Sequence, residues 1–144
     1  MSFDGAHSLQ ITDYSEQTKA VNTWDEEMHN FRKLKIYEKA LDFTRIVRMT
    51  TRSFPKDELF SLSAQFRRAA DSIVLNIAEG AGNRSEKEFA KFLDYAIRSG
   101  HECLGCLDIA LANKYISERT HSDLFELADE IVAMIMGFQR SLLK

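Results

Sequence analysis

Residues 65–80 read QFRRAADSIVLNIAEG, and this stretch decides the fold. Its apolar side chains recur at spacings of three and four residues, which is the period of one face of an α-helix. They are Phe66, Ala69, Ala70, Ile73, Val74 and Ile77. We predict a helix that ends at about Glu79, with Gly80 as the next residue in a left-handed, positive-φ conformation.

Two predicted helices share the first half of the chain. The first runs from Phe31 to about Arg52. It ends before residues 53–55, SFP, because proline lacks an N–H and disfavours helix in the preceding residue. The helix that contains residues 65–80 then begins near Asp57 and Glu58, since carboxylates suit the positive end of the helix dipole.

The second half of the chain contains two longer helices. Ser85 with Glu88 three residues later forms a capping box that opens the third helix, which runs to about Asn113. Ser117 or Thr120 caps the fourth helix, which continues almost to the C-terminus. The connections are short, so sequential helices should be antiparallel neighbours. The sequence therefore predicts an all-α, up-down-up-down four-helix bundle.

The composition is consistent with one domain, and residues 1–30 differ in composition from the rest of the chain. The chain has 144 residues, a net charge of −3, one proline and six glycines. Residues 1–30 hold six acidic side chains against Lys19 alone, and their apolar residues follow no sustained period. We predict an irregular acidic extension at 1–30 and the bundle at 31–144. We expect this extension to be a flexible tail; the alternative is a docked arm anchored by Trp24.

Several classes of function are not expected. Two cysteines are too few for a disulfide scaffold, no apolar run approaches a membrane span and no secretory signal is visible, so we expect a cytoplasmic protein without membrane contact. Cys103 and Cys106 form a C-x-x-C inside a helix and not at its N-terminus, where such thiols are reactive. His101 begins an H-E-x-x-H pattern whose second histidine is replaced by Gly105. We predict no catalytic residue, no metal and no cofactor.

A polar ribbon runs beside the apolar face of the second helix, and Leu75 lies outside that face. Surplus apolar surface next to a regular polar ribbon predicts contact with another subunit, that is, a homo-oligomer. Taken alone, Leu75 is better interpreted as an ordinary exposed leucine. The ribbon residues are Gln65, Arg68, Ser72, Asn76 and Glu79.

Residues 32–68 are strongly basic, with ten Lys/Arg against four Asp/Glu. A concentrated basic surface favours binding of RNA or DNA through its phosphates, although a solvated helix face balanced by the acidic fourth helix is the alternative. Helices of this sequence expose few aromatic residues, so we expect base stacking to contribute little. The predicted phosphate contacts are Arg45, Arg48, Arg52, Arg67 and Arg68.

Four segments resemble a known family. Residues 54–58 (FPKDE), 65–73 (QFRRAADSI), 76–80 (NIAEG) and 84–93 together are similar to the four-helix-bundle proteins encoded in 23S rRNA intervening sequences. The resemblance implies a homopentamer without known catalysis and with a role tied to structured RNA. The acidic extension is longer than is usual for the family.

A related branch of that family comprises the accessory proteins of diversity-generating retroelements. This likeness implies a pentameric barrel that binds reverse transcriptase and nucleic acid. Basic surface and resemblance together favour a non-enzymatic accessory factor that binds structured RNA or DNA. The alternative is an oligomeric scaffold that binds a protein partner and no nucleic acid.

Overall fold

The computed structural model describes residues 30–144, and in that range it contains four α-helices and no strand. Predictions for residues 1–29, including the docked arm at Trp24, lie outside the described residues. Short 3₁₀ helices occur at Asn30–Lys33 and Lys56–Glu58. The α-helices are α1 (Lys35–Thr51), α2 (Leu62–Ala81), α3 (Glu86–Ala112) and α4 (Glu118–Leu142).

Contacts at both ends of α3 fix its direction relative to α4. Near the start of α3, the carbonyl of Ala90 accepts a hydrogen bond from Gln139 at the end of α4. Near the end of α3, Asp108 lies 2.8 Å from the Nε2 of His121 at the start of α4. The two helices are therefore antiparallel. The all-α, four-helix-bundle fold predicted from the sequence is confirmed.

One apolar core joins all four helices. Phe43 of α1, Phe66 of α2, Leu93 of α3 and Ile131 of α4 are completely buried. Phe43 and Phe66 meet edge to face, with ring centroids 6.3 Å apart. Most exposed side chains are polar, although single apolar residues such as Leu75 and Ile109 also face solvent. Within residues 30–144, none of the helices has the length and hydropathy of a membrane span.

Gly80 differs from its predicted role. α2 continues through Ala81, so Gly80 lies inside the helix, and no glycine of the described chain has a positive φ. A Cβ atom on Gly80 would lie 2.7 Å from the Cβ of Phe92 and 2.8 Å from the Cδ1 of Phe89. The prediction of a left-handed residue is wrong. Gly80 is required because α2 and α3 approach each other closely there.

The start of α2 also differs from the prediction. Residues 56–58 form a 3₁₀ turn, and α2 begins only at Leu62. The carboxylate of Glu58 nevertheless serves this helix, because its Oε2 accepts a hydrogen bond from the backbone N–H of Leu62 at 3.1 Å. The predicted acidic start is thus displaced by about one turn.

Serine caps open the two long helices. The Oγ of Ser85 accepts a hydrogen bond from the N–H of Glu88 at 3.3 Å, as the capping box predicts. The Oγ of Ser117 accepts one from the N–H of Thr120 at 3.1 Å. Of the two candidates for the fourth helix, Ser117 is therefore the N-cap.

Candidate nucleic-acid interface

An ion pair occupies the middle of the surface that α1 and α2 share. The Nη1 of Arg48 lies 2.7 Å from the Oδ1 of Asp71, and its Nη2 lies 2.8 Å from Oδ2. The hydrogen bond to Asp71 is the main reason why the pKa of Arg48 is raised. Parallel N–H···O bonds of this kind fix geometry as well as charge. Arg48 therefore links α1 to α2, and its guanidinium already has a carboxylate partner within the chain.

Three cations lie beyond this ion pair, toward the connection between α1 and α2. Arg52 follows Arg48 by four residues and Arg67 precedes Asp71 by four, so both lie one helical turn from the pair on the same side. Lys56 lies in the connection itself. We call Arg52, Lys56 and Arg67 the basic corner.

The charges of the basic corner are not neutralised within the described chain. Arg52 and Lys56 are exposed and form neither an ion pair nor a side-chain hydrogen bond with residues 30–144. The Nη2 of Arg67 donates to the backbone carbonyl of Leu59 at 3.4 Å, which fixes the guanidinium but leaves its charge and other donors available. Asp57 is an exposed carboxylate nearby. The corner keeps a net positive charge.

The other predicted arginines stand apart from the corner. Arg45 lies 3.2 Å from Asp42 on the same helix, and both side chains are largely exposed. Arg68 is displaced from Arg67 by about 100° around α2. It therefore lies on the flank that carries Ser72, away from α1. The structure does not bring the five predicted arginines together as one site.

Tertiary ion pairs reduce the positive charge of residues 32–68. Lys39 pairs with Glu130 of α4, and Arg48 pairs with Asp71 of α2. Both acids lie outside the segment in which the basic residues were counted. A count along the chain cannot include carboxylates that the fold brings from elsewhere.

A second basic group, at the opposite end of the bundle, was not predicted. The starts of α1 and α3 and the end of α4 meet there because neighbouring helices are antiparallel. Its exposed cations come from three separate stretches, residues 32–35, 84–91 and 140–144. Only the first of these belongs to the segment that is strongly basic in the sequence. They are Arg32, Lys33, Lys35, Arg84, Lys87, Lys91, Arg140 and Lys144.

One aromatic side chain beside the basic corner is fully open to solvent. Phe60 is 90% exposed and lies between the 3₁₀ turn and α2. The expectation that base stacking contributes little was based on the helices alone, and Phe60 precedes its helix.

An apolar groove lies on the other side of the Arg48–Asp71 pair. Leu41 and Leu75 are 45% and 63% exposed. The groove runs between α1 and α2 and is lined by Leu41, Thr44, Asp71, Val74 and Leu75.

The polar ribbon of α2 divides between an internal contact and the surface. The Nδ2 of Asn76 donates to the Ser72 carbonyl at 2.8 Å and to its Oγ at 3.0 Å. The hydroxyl of Ser99 on α3 donates to the same Oγ at 2.8 Å. Ser72 therefore links α2 to α3, and Asn76 holds the Ser72 hydroxyl from within α2. The remaining ribbon side chains, Gln65, Arg68 and Glu79, are exposed.

The two cysteines lie inside the helix packing. Both side chains are buried, and burial raises the pKa of Cys106 to about 11 and that of Cys103 further. Thiolates are the reactive and metal-binding form, so burial makes both thiols unreactive. In the described range, no group of three or more His, Cys, Asp or Glu side chains could hold a metal ion.

Comparison with known proteins identifies the family. The sequence profile described as 23S rRNA-intervening sequence protein matches residues 32–137. The chain belongs to this family. This confirms the resemblance that the four sequence segments indicated, and no curated protein matches the chain.

A solved structure shares the fold of this family member. It is a protein with unknown function from the S23 ribosomal protein family of Bacteroides thetaiotaomicron. The two structures align with a TM-score of 0.66 and 24% sequence identity. The alignment covers 73% of this chain and 95% of the other. At that identity the likeness shows a common fold.

Several residues of the family signature have structural roles in this member. Phe54 is buried and lies 5.7 Å, between ring centroids, from Tyr115 of the α3–α4 connection. The hydroxyl of Tyr115 contacts the carboxylate of Glu58, which also caps α2. Gly80 allows the close contact between α2 and α3, and Asn76 is hydrogen-bonded to Ser72 within α2. In this chain, these residues of the matched segments therefore stabilise the fold.

Proposed function

We propose that this protein is a non-enzymatic accessory factor whose basic corner contacts the phosphate backbone of structured RNA or DNA. The observation that carries the proposal is that the three cations around the α1–α2 connection, Arg52, Lys56 and Arg67, form no ion pair with residues 30–144. When unpaired cations of a protein bind phosphates, they release the counterions of the nucleic acid, and this release drives association. The family description, which refers to 23S rRNA, favours RNA over DNA.

Backbone contacts determine what kind of recognition is expected. Arginine and lysine side chains on phosphates position a protein on nucleic acid but carry no direct sequence information. We therefore expect this binding to depend on the fold of the RNA and on salt, with little preference for sequence.

We also propose that the protein assembles into a closed homo-oligomer through the apolar groove. Leu41 and Leu75 offer apolar surface that a second copy would cover, with the Arg48–Asp71 pair at its edge. The number of five subunits is what the family resemblance implies. In a ring, several basic corners would act on one RNA and raise its affinity through effective concentration.

A second candidate function is an oligomeric scaffold that binds a protein partner. The apolar groove favours it, because such a surface suits a protein better than a polyanion. In the retroelement branch of the resemblance that partner would be a reverse transcriptase. Salt distinguishes the two functions, since phosphate contacts weaken steeply as salt is raised.

The proposed function is tested with a labelled structured RNA and two double variants of equal charge change. Fluorescence anisotropy at low salt compares Arg52→Glu/Arg67→Glu with Arg84→Glu/Lys87→Glu at the opposite end of the bundle. We expect the first pair to weaken binding by roughly tenfold or more, because each reversal also repels phosphate. The second pair should change it much less. Equal losses of affinity in the two double variants would show that the basic corner is not the specific contact. If the wild-type protein does not bind the RNA, the protein-binding scaffold becomes the favoured function.

The proposed assembly is tested by light scattering. Leu75→Lys should reduce the particle mass, because a charge inside an apolar contact is costly to bury. Ile109→Lys is a matched control, since Ile109 is 49% exposed on α3. A wild-type particle near the chain mass of 16.5 kDa at micromolar concentration would contradict the assembly.

A further inference from the structure

We propose that Phe60 is a base-stacking residue, so that the preferred ligand of the basic corner is nucleic acid with unpaired bases. An unpaired base would lie against the exposed ring, while neighbouring phosphates contact Lys56 and Arg67. The inference rests on the proposed function and specifies its substrate as single-stranded segments and loops of RNA.

Phe60 is the most exposed large apolar side chain of the described residues, at 90%. Most other aromatic rings have a ring partner within the bundle, as Phe54 has Tyr115 and Phe89 has Phe138. Phe60 has no such partner between residues 30 and 144. It is therefore an aromatic face that the fold leaves available.

Hydrogen bonds on both sides hold the backbone of Phe60. The N–H of Leu59 donates to the Lys56 carbonyl at 3.1 Å, and that of Ser61 donates to the Glu58 carbonyl at 3.0 Å. The guanidinium of Arg67 donates to the Leu59 carbonyl, one residue before Phe60. The ring thus projects from a turn that is fixed to the start of α2, with the Arg67 guanidinium on the preceding residue and Lys56 in the same turn.

This combination fits a nucleobase better than a second copy of the chain. Proteins that bind single strands combine cations that follow the backbone with aromatic rings on which bases stack. The neighbouring groups Lys56 and Arg67 are charged, and an apolar subunit contact would have to desolvate them. Bases in a duplex are already stacked on each other, so Phe60 should discriminate between paired and unpaired strands.

The test measures affinity for a single-stranded RNA and for a duplex of the same length. Phe60→Leu and Phe60→Ala should each weaken single-strand binding by about tenfold, which is within the range for loss of one stacking ring, and leave duplex binding unchanged. Phe60→Trp should restore the single-strand affinity. A 2-aminopurine base in the single strand should be quenched by the wild-type and Trp proteins, and not by Phe60→Leu.

Controls separate this inference from folding, assembly and the proposed function. Met49→Ala removes another exposed apolar side chain, 58% exposed on α1, and should leave both affinities unchanged. Equal losses for single strand and duplex, or wild-type affinity in Phe60→Ala, would overturn the stacking role while RNA binding stands. A lower particle mass of Phe60→Ala in light scattering would assign the ring to a subunit contact. Failure of the wild-type protein to bind either strand would overturn both proposals.

Discussion

Arg48 and Asp71 form a bidentate ion pair that divides the surface of α1 and α2 into two regions of different chemistry. Toward the α1–α2 connection lies the basic corner. Toward the opposite end lies the apolar groove with the exposed leucines Leu41 and Leu75. The proposed RNA contact and the proposed subunit contact therefore lie in separate regions of one surface.

Removing the carboxylate of this pair should have opposite effects on binding and stability. In Asp71→Asn the guanidinium of Arg48 loses its counter-charge one turn from Arg52, so we expect RNA affinity to rise severalfold in fluorescence anisotropy. The free energy of unfolding should fall by only about 0.5–1 kcal/mol in urea titration, because both side chains are partly exposed. Unchanged or lower RNA affinity in Asp71→Asn would contradict a position of Arg48 facing the ligand.

Substituting glycines tests the close approach of helices. Gly80→Ala should lower the free energy of unfolding by about 1–3 kcal/mol, because its Cβ would overlap Phe92. Gly105→Ala is the control, since nothing lies within 4 Å of the added Cβ. It should stabilise the helix by about 0.5–1 kcal/mol. Chemical denaturation measures the free energy of unfolding of both variants. Equal changes in the two variants would argue against close packing at Gly80.

The polar ribbon should separate into two kinds of residue. Asn76→Ala removes two hydrogen bonds to Ser72 and should cost about 1 kcal/mol of stability. Arg68→Ala removes an exposed side chain without a partner in the described chain and should stay within about 0.5 kcal/mol of the wild type. Thermal melting measures both. A change of particle mass in Arg68→Ala would instead place Arg68 in a subunit contact.

Alkaline pH should destabilise the protein through its cysteines. Burial raises the pKa of both thiols, that of Cys106 to about 11, so the folded chain keeps protons that the unfolded chain releases. The free energy of unfolding should therefore fall as the pH rises above about 9. The decline should be smaller in Cys103→Ala/Cys106→Ala. Rapid alkylation of the native protein at pH 8.5 would contradict the burial of these thiols.

Local signals made the fold predictable from the sequence. The apolar period of α2 and the serine caps at Ser85 and Ser117 depend on residues within one or two turns, so they can be recognised without tertiary information. Gly80 could not be assigned in this way, because its role depends on Phe89 and Phe92 of another helix.

The candidate site was less predictable because charge pairing depends on helix register. In the sequence, Arg48 is indistinguishable from the other cations of a basic helix. The structure shows that it pairs with Asp71 of the next helix. Phe60 is similarly ambiguous, since an aromatic residue shortly before a helix reads equally well as core. Exposure and partners follow only from the three-dimensional arrangement.

The salt dependence of RNA binding tests the central claim most directly. Dissociation constants of the wild type and of Arg52→Glu/Arg67→Glu are measured by anisotropy over a series of salt concentrations. If the basic corner contacts phosphates, the logarithm of the association constant falls linearly with the logarithm of the salt concentration. The slope of this line should then be smaller in magnitude by roughly 1.5 in the double variant, about 0.7–0.9 for each phosphate contact removed. Identical slopes for the two proteins would contradict the claim.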